Sequence, residues 1–153
     1  MEGDEVMKTK GILHNELAGL VARVGHGDMI VVTDRGFPFP RHDMTTCIDL
    51  SIGCGMPKVA DVIRVILTEM EIEQVIIADE TKALSPETYQ QFRDLVSPIR
   101  NKGNEIIEEN IPHSAFRDLV LNGPLNGKEV KGFVRCGECT PYANMILISG
   151  VDF

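Results

Sequence analysis

Five polar residues in this sequence stand where a ligand could meet them. His26 lies in Gly25-His26-Gly27-Asp28, between an amphipathic segment and a β-branched run, and Asp34 closes that run. His113 precedes a helical stretch, while Tyr142 and Asn144 come just before the apolar residues 145–148. Ligands of open α/β sheets bind beyond the carboxyl ends of strands, so such positions are where chemistry is sought. Two histidines can donate or accept a proton near neutral pH. A carboxylate can accept two hydroxyls, and a tyrosine and an asparagine supply further polar contacts. That set suits a neutral polyol such as a sugar.

Each residue also has a plain structural reading. A loop histidine is commonly solvated, and Asp34-Arg35-Gly36 could be a turn former. Tyr142 could be a core aromatic with its hydroxyl at the rim, and Asn144 could fasten its loop to backbone groups. Glu138 could be a solvated charge, and Asp79-Glu80 an acidic pair at a helix start. Taken singly, none establishes a function.

Cys136-Gly137-Glu138-Cys139 offers a competing chemistry. The chain has four cysteines. No hydrophobic leader precedes them, which fits a reducing cytoplasm and free thiols. Six residues separate Cys47 from Cys54, so only Cys136 and Cys139 form a CxxC pair. That is half the double-pair pattern of a four-cysteine zinc site. A redox pair of the thioredoxin type would open a helix, whose dipole lowers the thiol pKa. Here Pro141 and an apolar run follow, which read as loop and strand. The expectation is therefore no metal and no redox centre. Gly25-His26-Gly27-Asp28 and Gly53-Cys54-Gly55-Met56-Pro57 lack the spacing of a phosphate-binding glycine loop, so no nucleotide cofactor is indicated either.

The elements that must position these groups follow from the pattern. Leu17, Leu20, Val21 and Val24 recur at helical spacing within residues 14–24, and Gly25 is placed to end that helix in the left-handed conformation. The segments 29–34, 47–53 and 74–79 read as short buried strands. Pro57 stands at the start of a helix whose apolar stripe runs from Val59 to Met70. Ser85 and Pro86 read as N-cap and first residue of a helix reaching about Val96. Residues 105–108 suggest a strand, and Ser114 a cap for a helix over 115–121. Residues 121–128 form a turn-rich connector before strands near 130–135 and 145–149. Strands alternating with helices predict an α/β domain, a largely parallel sheet between helical layers.

Composition agrees. At 153 residues the chain fits one domain, long enough to bury roughly 70% of its unfolded surface. A formal charge of −8 with scattered Lys and Arg argues against nucleic acid. No apolar run approaches the ~18 residues of a membrane span. Residues 1–6 read as a disordered acidic extension and residues 7–153 as the folded domain.

In order, KGILHNELAGLVARVGHGD, VVTDRGFPFP, CIDLSIGCGMP, EQVIIADE, PHSAF and VRCGECTPYANMILISGV closely resemble the D-ribose pyranase family, the RbsD-like branch of the RbsD/FucU sugar mutarotases. The segment G-E-x-[ST]-P-Y-A-N carries the most specificity. The resemblance implies a three-layer α/β/α subunit and a cofactor-independent isomerase that interconverts pyranose and furanose D-ribose for ribokinase. It implies a cytoplasmic, ring-like homo-oligomer, often a decamer of two pentamers. It assigns catalysis to His26 and sugar binding to Asp34, His113, Tyr142, Ala143 and Asn144. It leaves open whether the 142–144 segment reaches into a neighbouring subunit's site.

Two positions depart from the pattern. Arg35 stands where a small residue is usual, and points to solvent or favours a different or anionic sugar. Cys136 replaces Ser or Thr, which suggests a packed position. The rival readings are L-fucose mutarotase within the group, and a non-catalytic sugar-binding subunit of a ribose transport system outside it.

Overall fold

A computed structural model describes residues 7–123 and 129–153. The expected extension at 1–6 and residues 124–128 of the connector lie outside the described residues. In chain order the elements are α1 (Asn15–Arg23), β1 (Met29–Thr33), β2 (Thr46–Asp49), α2 (Val59–Ile66), β3 (Ile72–Ala78), α3 (Asp79–Leu84) and α4 (Pro86–Val96). The hairpin β4 (Arg100–Asn101) and β5 (Asn104–Glu105) follows, then β6 (Ile107–Ile111), α5 (His113–Leu121), β7 (Val130–Arg135) and β8 (Met145–Ser149).

Six strands form one sheet in the order β2-β7-β1-β8-β3-β6. β8 runs antiparallel to β1 and β3, and the other three pairings are parallel. The two central strands, MIVVT and MILIS, are buried at every residue. Strands covered on both faces read as continuous apolar runs, which is why both are visible in the sequence. Alternate residues serve opposite cores. Ile30, Val32, Met145 and Leu147 pack with α1, α2 and α4 on one face. Val31, Phe133, Ile146 and Ile148 pack with Phe116 and Val120 of α5 on the other. The result is the expected α/β/α arrangement. Each fully buried aliphatic or aromatic side chain contributes about 1.5–3 kcal/mol to holding these layers together.

Several local expectations change. Gly25 does not take a positive φ; Gly27 does, at +85°, so the turn falls two residues later. The Met56–Pro57 bond is cis and α2 begins at Val59, so Pro57 precedes the helix without entering it. Ser114 lies inside α5, which is capped at Pro112 and starts at His113. α3 was not anticipated as a helix of its own: six residues of DETKAL show too little apolar periodicity. Its acidic first turn, Asp79-Glu80, matches the plain reading of that pair.

The loop after β2 is stitched to the turn after β7. The Gly55 N–H donates to the Gly137 carbonyl at 2.6 Å, and the Gly137 N–H to the Pro57 carbonyl at 2.9 Å. A side chain at Gly137 would strike the carbonyls of Gly53 and Met56, so this contact requires glycine. Cys54 and Cys139 are bonded across the same seam, with Cα atoms 6.0 Å apart. The expectation of four free thiols therefore fails at these two; Cys47 and Cys136 are free.

Candidate active site

Because β8 opposes its neighbours, it begins at the edge where β1, β3, β6 and β7 end. The loop from Cys136 to Asn144 therefore lies along the carboxyl edge of the sheet. It closes a cleft of about 420 Å³ together with residues following β1 and β6. Asp34, Phe37, His113, Glu138 and Tyr142 line it, with Arg35 and Arg117 among the other residues at its walls.

Asp34 is held from several sides. Its N–H donates to the Asn144 side-chain carbonyl at 2.8 Å, and its carboxylate accepts the Gly36 N–H at 2.9 Å. Burial pushes its carboxyl above the usual aspartate value of 3.8. Backbone N–H groups of Gly36 and Phe37, the Asn144 side chain and the charge of His113 oppose that shift without cancelling it. Asn144 is 1% exposed, and its amide nitrogen has no partner among the described residues.

His113 opens α5. Its backbone N–H is taken by both oxygens of Glu80, at 3.0 and 3.1 Å. Its ring stacks on Phe116 and meets Tyr142 edge-on with centroids 5.0 Å apart. The ring nitrogen Nδ1 is buried without a partner among the described residues. Tyr142 sits at φ +60°, left-handed backbone that a bulky residue adopts only under constraint. The constraint comes from α3 and α4. The Thr81 hydroxyl donates to the Tyr142 carbonyl at 2.6 Å, and the Ser85 hydroxyl to the Pro141 carbonyl at 2.7 Å. Ser85 thus occupies the expected cap position without a side-chain cap bond. Ala143 is fully buried in the core, backbone and side chain alike, and does not line the cleft.

His26 lies elsewhere. It precedes β1 while Asp34 follows it, so five strand residues, about 17 Å at the usual rise, separate the two. Its loop is held to the end of β8: the Gly27 N–H donates to the Ser149 carbonyl at 3.0 Å, and the Ser149 hydroxyl to the Gly25 carbonyl. The imidazole Nε2 lies 3.0 Å from a Glu73 carboxylate oxygen, with the histidine side chain 56% exposed. Within one chain, then, Asp34, His113 and Tyr142 line one cleft, Asn144 is bonded to Asp34 behind it, and His26 does not join them.

Residues 7–152 match the model of the RbsD/FucU transport protein family. The chain belongs to that family. Among its relatives, the D-ribose pyranase of Pseudothermotoga lettingae is 41% identical over 96% of this chain and 94% of its own length. The D-ribose pyranase of Psychromonas ingrahamii is 42% identical over 96% of this chain and all of its own. The structure of Bacillus subtilis RbsD complexed with D-ribose aligns with a TM-score of 0.79 at 39% identity, covering 96% of this chain and 100% of that one. A fucose mutarotase from Streptococcus pneumoniae, solved with L-fucose, aligns at 0.69 with 19% identity, covering 91% and 94%. That second likeness speaks to the fold alone.

Against this family background, the departures have a physical account. Arg35 is exposed at the cleft lip, and its N–H donates to the Glu138 carbonyl at 3.0 Å. Cys136 is fully buried, its thiol donating to the Thr33 carbonyl at 3.1 Å, and burial pushes that thiol up to about 12. A buried thiol of that kind is inert, and Cys139 is bonded to Cys54 rather than to Cys136. Glu138 is not a solvated charge. It is 7% exposed, and its carboxylate accepts the Val59 N–H at the start of α2 at 3.3 Å. Sequence reasoning missed Glu80, Thr81, Ser85 and Glu138 as supports of the site. Only the adjacency of Asp79-Glu80 to a strand end hinted at one of them. Among the described residues, no three His, Cys, Asp or Glu side chains converge as a metal site would require. No described helix is long and apolar enough to cross a membrane.

Proposed function

We propose that this chain is a D-ribose pyranase, an isomerase that interconverts the pyranose and furanose forms of the sugar. The observation that carries the reading is the convergence of Asp34, His113 and Tyr142 in one cleft, with Asn144 bonded to Asp34 behind it. These are hydroxyl-binding groups, and near relatives over nearly the full chain bear the same activity in their names. The carboxylate accepts two hydroxyls, and the His113–Tyr142 corner packs the ring. Opening a cyclic hemiacetal moves one proton off the anomeric hydroxyl and one onto the ring oxygen. No C–H bond breaks and no electrons leave. A positioned histidine can carry both transfers.

His26 is that histidine in this reading. Since β1 separates His26 from Asp34 within one chain, we take the His26 of a given cleft to come from a second copy, in a ring-like homo-oligomer built on pentamers. Tyr142 and Asn144 then act in their own chain's cleft, and the neighbour's contribution is the acid–base group. The setting is cytoplasmic, where the furanose is available to ribokinase.

Saturation-transfer NMR on D-ribose tests the function. The protein is expected to accelerate pyranose–furanose exchange, and folded His26→Ala is expected to lose the acceleration. Mixing His26→Ala with Asp34→Ala chains under conditions that reassemble the oligomer should restore part of it. Binding of ribose with no acceleration by the wild type would replace the enzyme with a sugar-binding subunit.

A further inference from the structure

We propose that Glu73 is a positioning residue for His26, holding the imidazole as its Nε2-protonated tautomer so that Nδ1 is the nitrogen that exchanges protons with the sugar. The inference rests on the reading of His26 as the acid–base group.

Four features converge on the pair. The Glu73 carboxylate oxygen is 3.0 Å from Nε2, hydrogen-bond distance for an N–H donor. Glu73 falls at the irregularity of the β3–β8 ladder: Ile72 pairs with Ser149 and Gln74 with Ile148, so nothing pairs with the residue between. Such bulges turn a side chain out of the regular alternation. Gly150 lies beside it, and a Cβ there would come within 3.2 Å of the Glu73 Cβ, so a residue with a side chain would crowd the carboxylate's stem. Ser149 fastens both glycines flanking His26, through its carbonyl to Gly27 and its hydroxyl to Gly25. The remaining carboxylate in that loop, Asp28, is engaged by the Gly25 N–H at 2.8 Å and leaves Glu73 as the imidazole's partner. The pair is half exposed on both sides, and such surface pairs contribute little to folding. A bulge, a glycine and a clamped loop all serve a contact of small structural value, which points to the ring's orientation as what is being held.

The chemistry follows from the tautomer. With Nε2–H committed to Glu73, the Nδ1 lone pair takes the proton of the anomeric hydroxyl. The O–H electrons form the aldehyde carbonyl, and the pair of the C1–ring oxygen bond leaves onto the ring oxygen. Nδ1 returns its proton to that oxygen, giving the open chain; the reverse sequence through another hydroxyl closes the second ring. Between the two transfers the imidazolium is paired with the Glu73 carboxylate, as a buried aspartate does for the histidine of serine proteases.

The test uses the assembled full-length protein. In wild type, 15N spectra of the neutral His26 ring are expected to show protonated Nε2 and bare Nδ1, and Glu73→Ala is expected to show mixed tautomers. Exchange at saturating ribose should fall roughly tenfold or more in Glu73→Ala, a share of the ~10²–10⁴ that positioned acid–base catalysis contributes. The apparent KM should stay, because Glu73 bonds the imidazole and not the sugar. Glu73→Gln keeps an acceptor oxygen for Nε2–H, so it should keep the tautomer and recover part of the rate. A protonated Nδ1 in wild type, or full exchange in a folded Glu73→Ala, would overturn the inference. If His26→Ala itself retains full exchange, the reading of His26 fails instead, and the tautomer measurement separates the two failures.

Discussion

Asp34 and His26 cap the two ends of the same strand, yet their surroundings differ in kind. At the carboxyl end of β1, Asp34 is fastened through Asn144, and the loop carrying Tyr142 is braced by Thr81 of α3 and by Ser85 at the α3–α4 junction. Every one of these contacts is internal, and Asn144 and Thr81 are essentially inaccessible to solvent. At the amino end, His26 projects from a tight glycine turn with one side-chain partner among the described residues, Glu73. The end that would recognise hydroxyls is preorganised, and the end that would move protons is open to an approaching surface. Recognition needs fixed distances, which a single chain can build into its core. A proton carrier that serves another copy must instead stay reachable.

The contrast can be broken from either side. The largest effect is expected at the open end: His26→Asn should lower exchange by ~10²–10⁴-fold, the usual contribution of a positioned acid–base group. Its chemical denaturation midpoint should barely move, because surface substitutions usually stay within about 0.5 kcal/mol. At the braced end the two readouts should move together. Asn144→Ala strips the Asp34 N–H of its acceptor and should cost about 1–3 kcal/mol in urea unfolding, with a raised KM for ribose. Ser85→Ala and Thr81→Val remove one brace each, at about 1 kcal/mol apiece, and should raise KM while leaving saturated exchange near wild type. A KM that stays put in both would show that the left-handed Tyr142 is held by other means.

The smallest effects are electrostatic and carry opposite signs. Arg135 pairs with Asp49 at 2.6 Å and holds its carboxyl down to about 2. That contribution is present above the ordinary value of 3.8 and is lost as pH falls from there toward about 2. Asp34 is raised by burial, so its ionised form costs stability at neutral pH. This cost is relieved as pH falls through its raised value toward 3.8. Urea titrations across pH 2–7 with Asp49→Asn and Asp34→Asn should therefore give difference curves of opposite slope.

What the sequence discloses is whatever acts locally. The runs at 130–135 and 145–149 became β7 and β8 at those bounds; β8 is buried at every residue, and a strand covered on both faces has little freedom in composition. Ser85-Pro86 marked the start of α4 for the same reason of local chemistry. Asp34, His113, Tyr142 and Asn144 were visible as polar residues abutting apolar runs. Their supports were not, since the partner of Thr81 is 61 residues away and that of Glu80 is 33. Nor could spacing reveal that Glu138 is buried under a helix start, or that Cys139 faces Cys54 across a seam 85 residues deep. The separation of His26 from Asp34 was legible, since one precedes and the other closes the same apolar run. The antiparallel direction of β8, which brings residues 142–144 to the Asp34 end, was not, because apolar patterning does not encode strand direction.

The place of β8 bears on how the chain is made. Its partners β1 and β3 begin at residues 29 and 72, but β8 itself spans 145–149 and lies between them. During synthesis from the amino end, β1 and β3 leave the ribosome long before the strand that joins them. Their facing edges stay unpaired until the last stretch of this sequence is delivered. Unpaired apolar edges are what partly made chains aggregate through. The loop that shapes the cleft is thus delivered with the strand that closes the sheet, so a nascent chain has no finished binding site until the sheet itself can be completed.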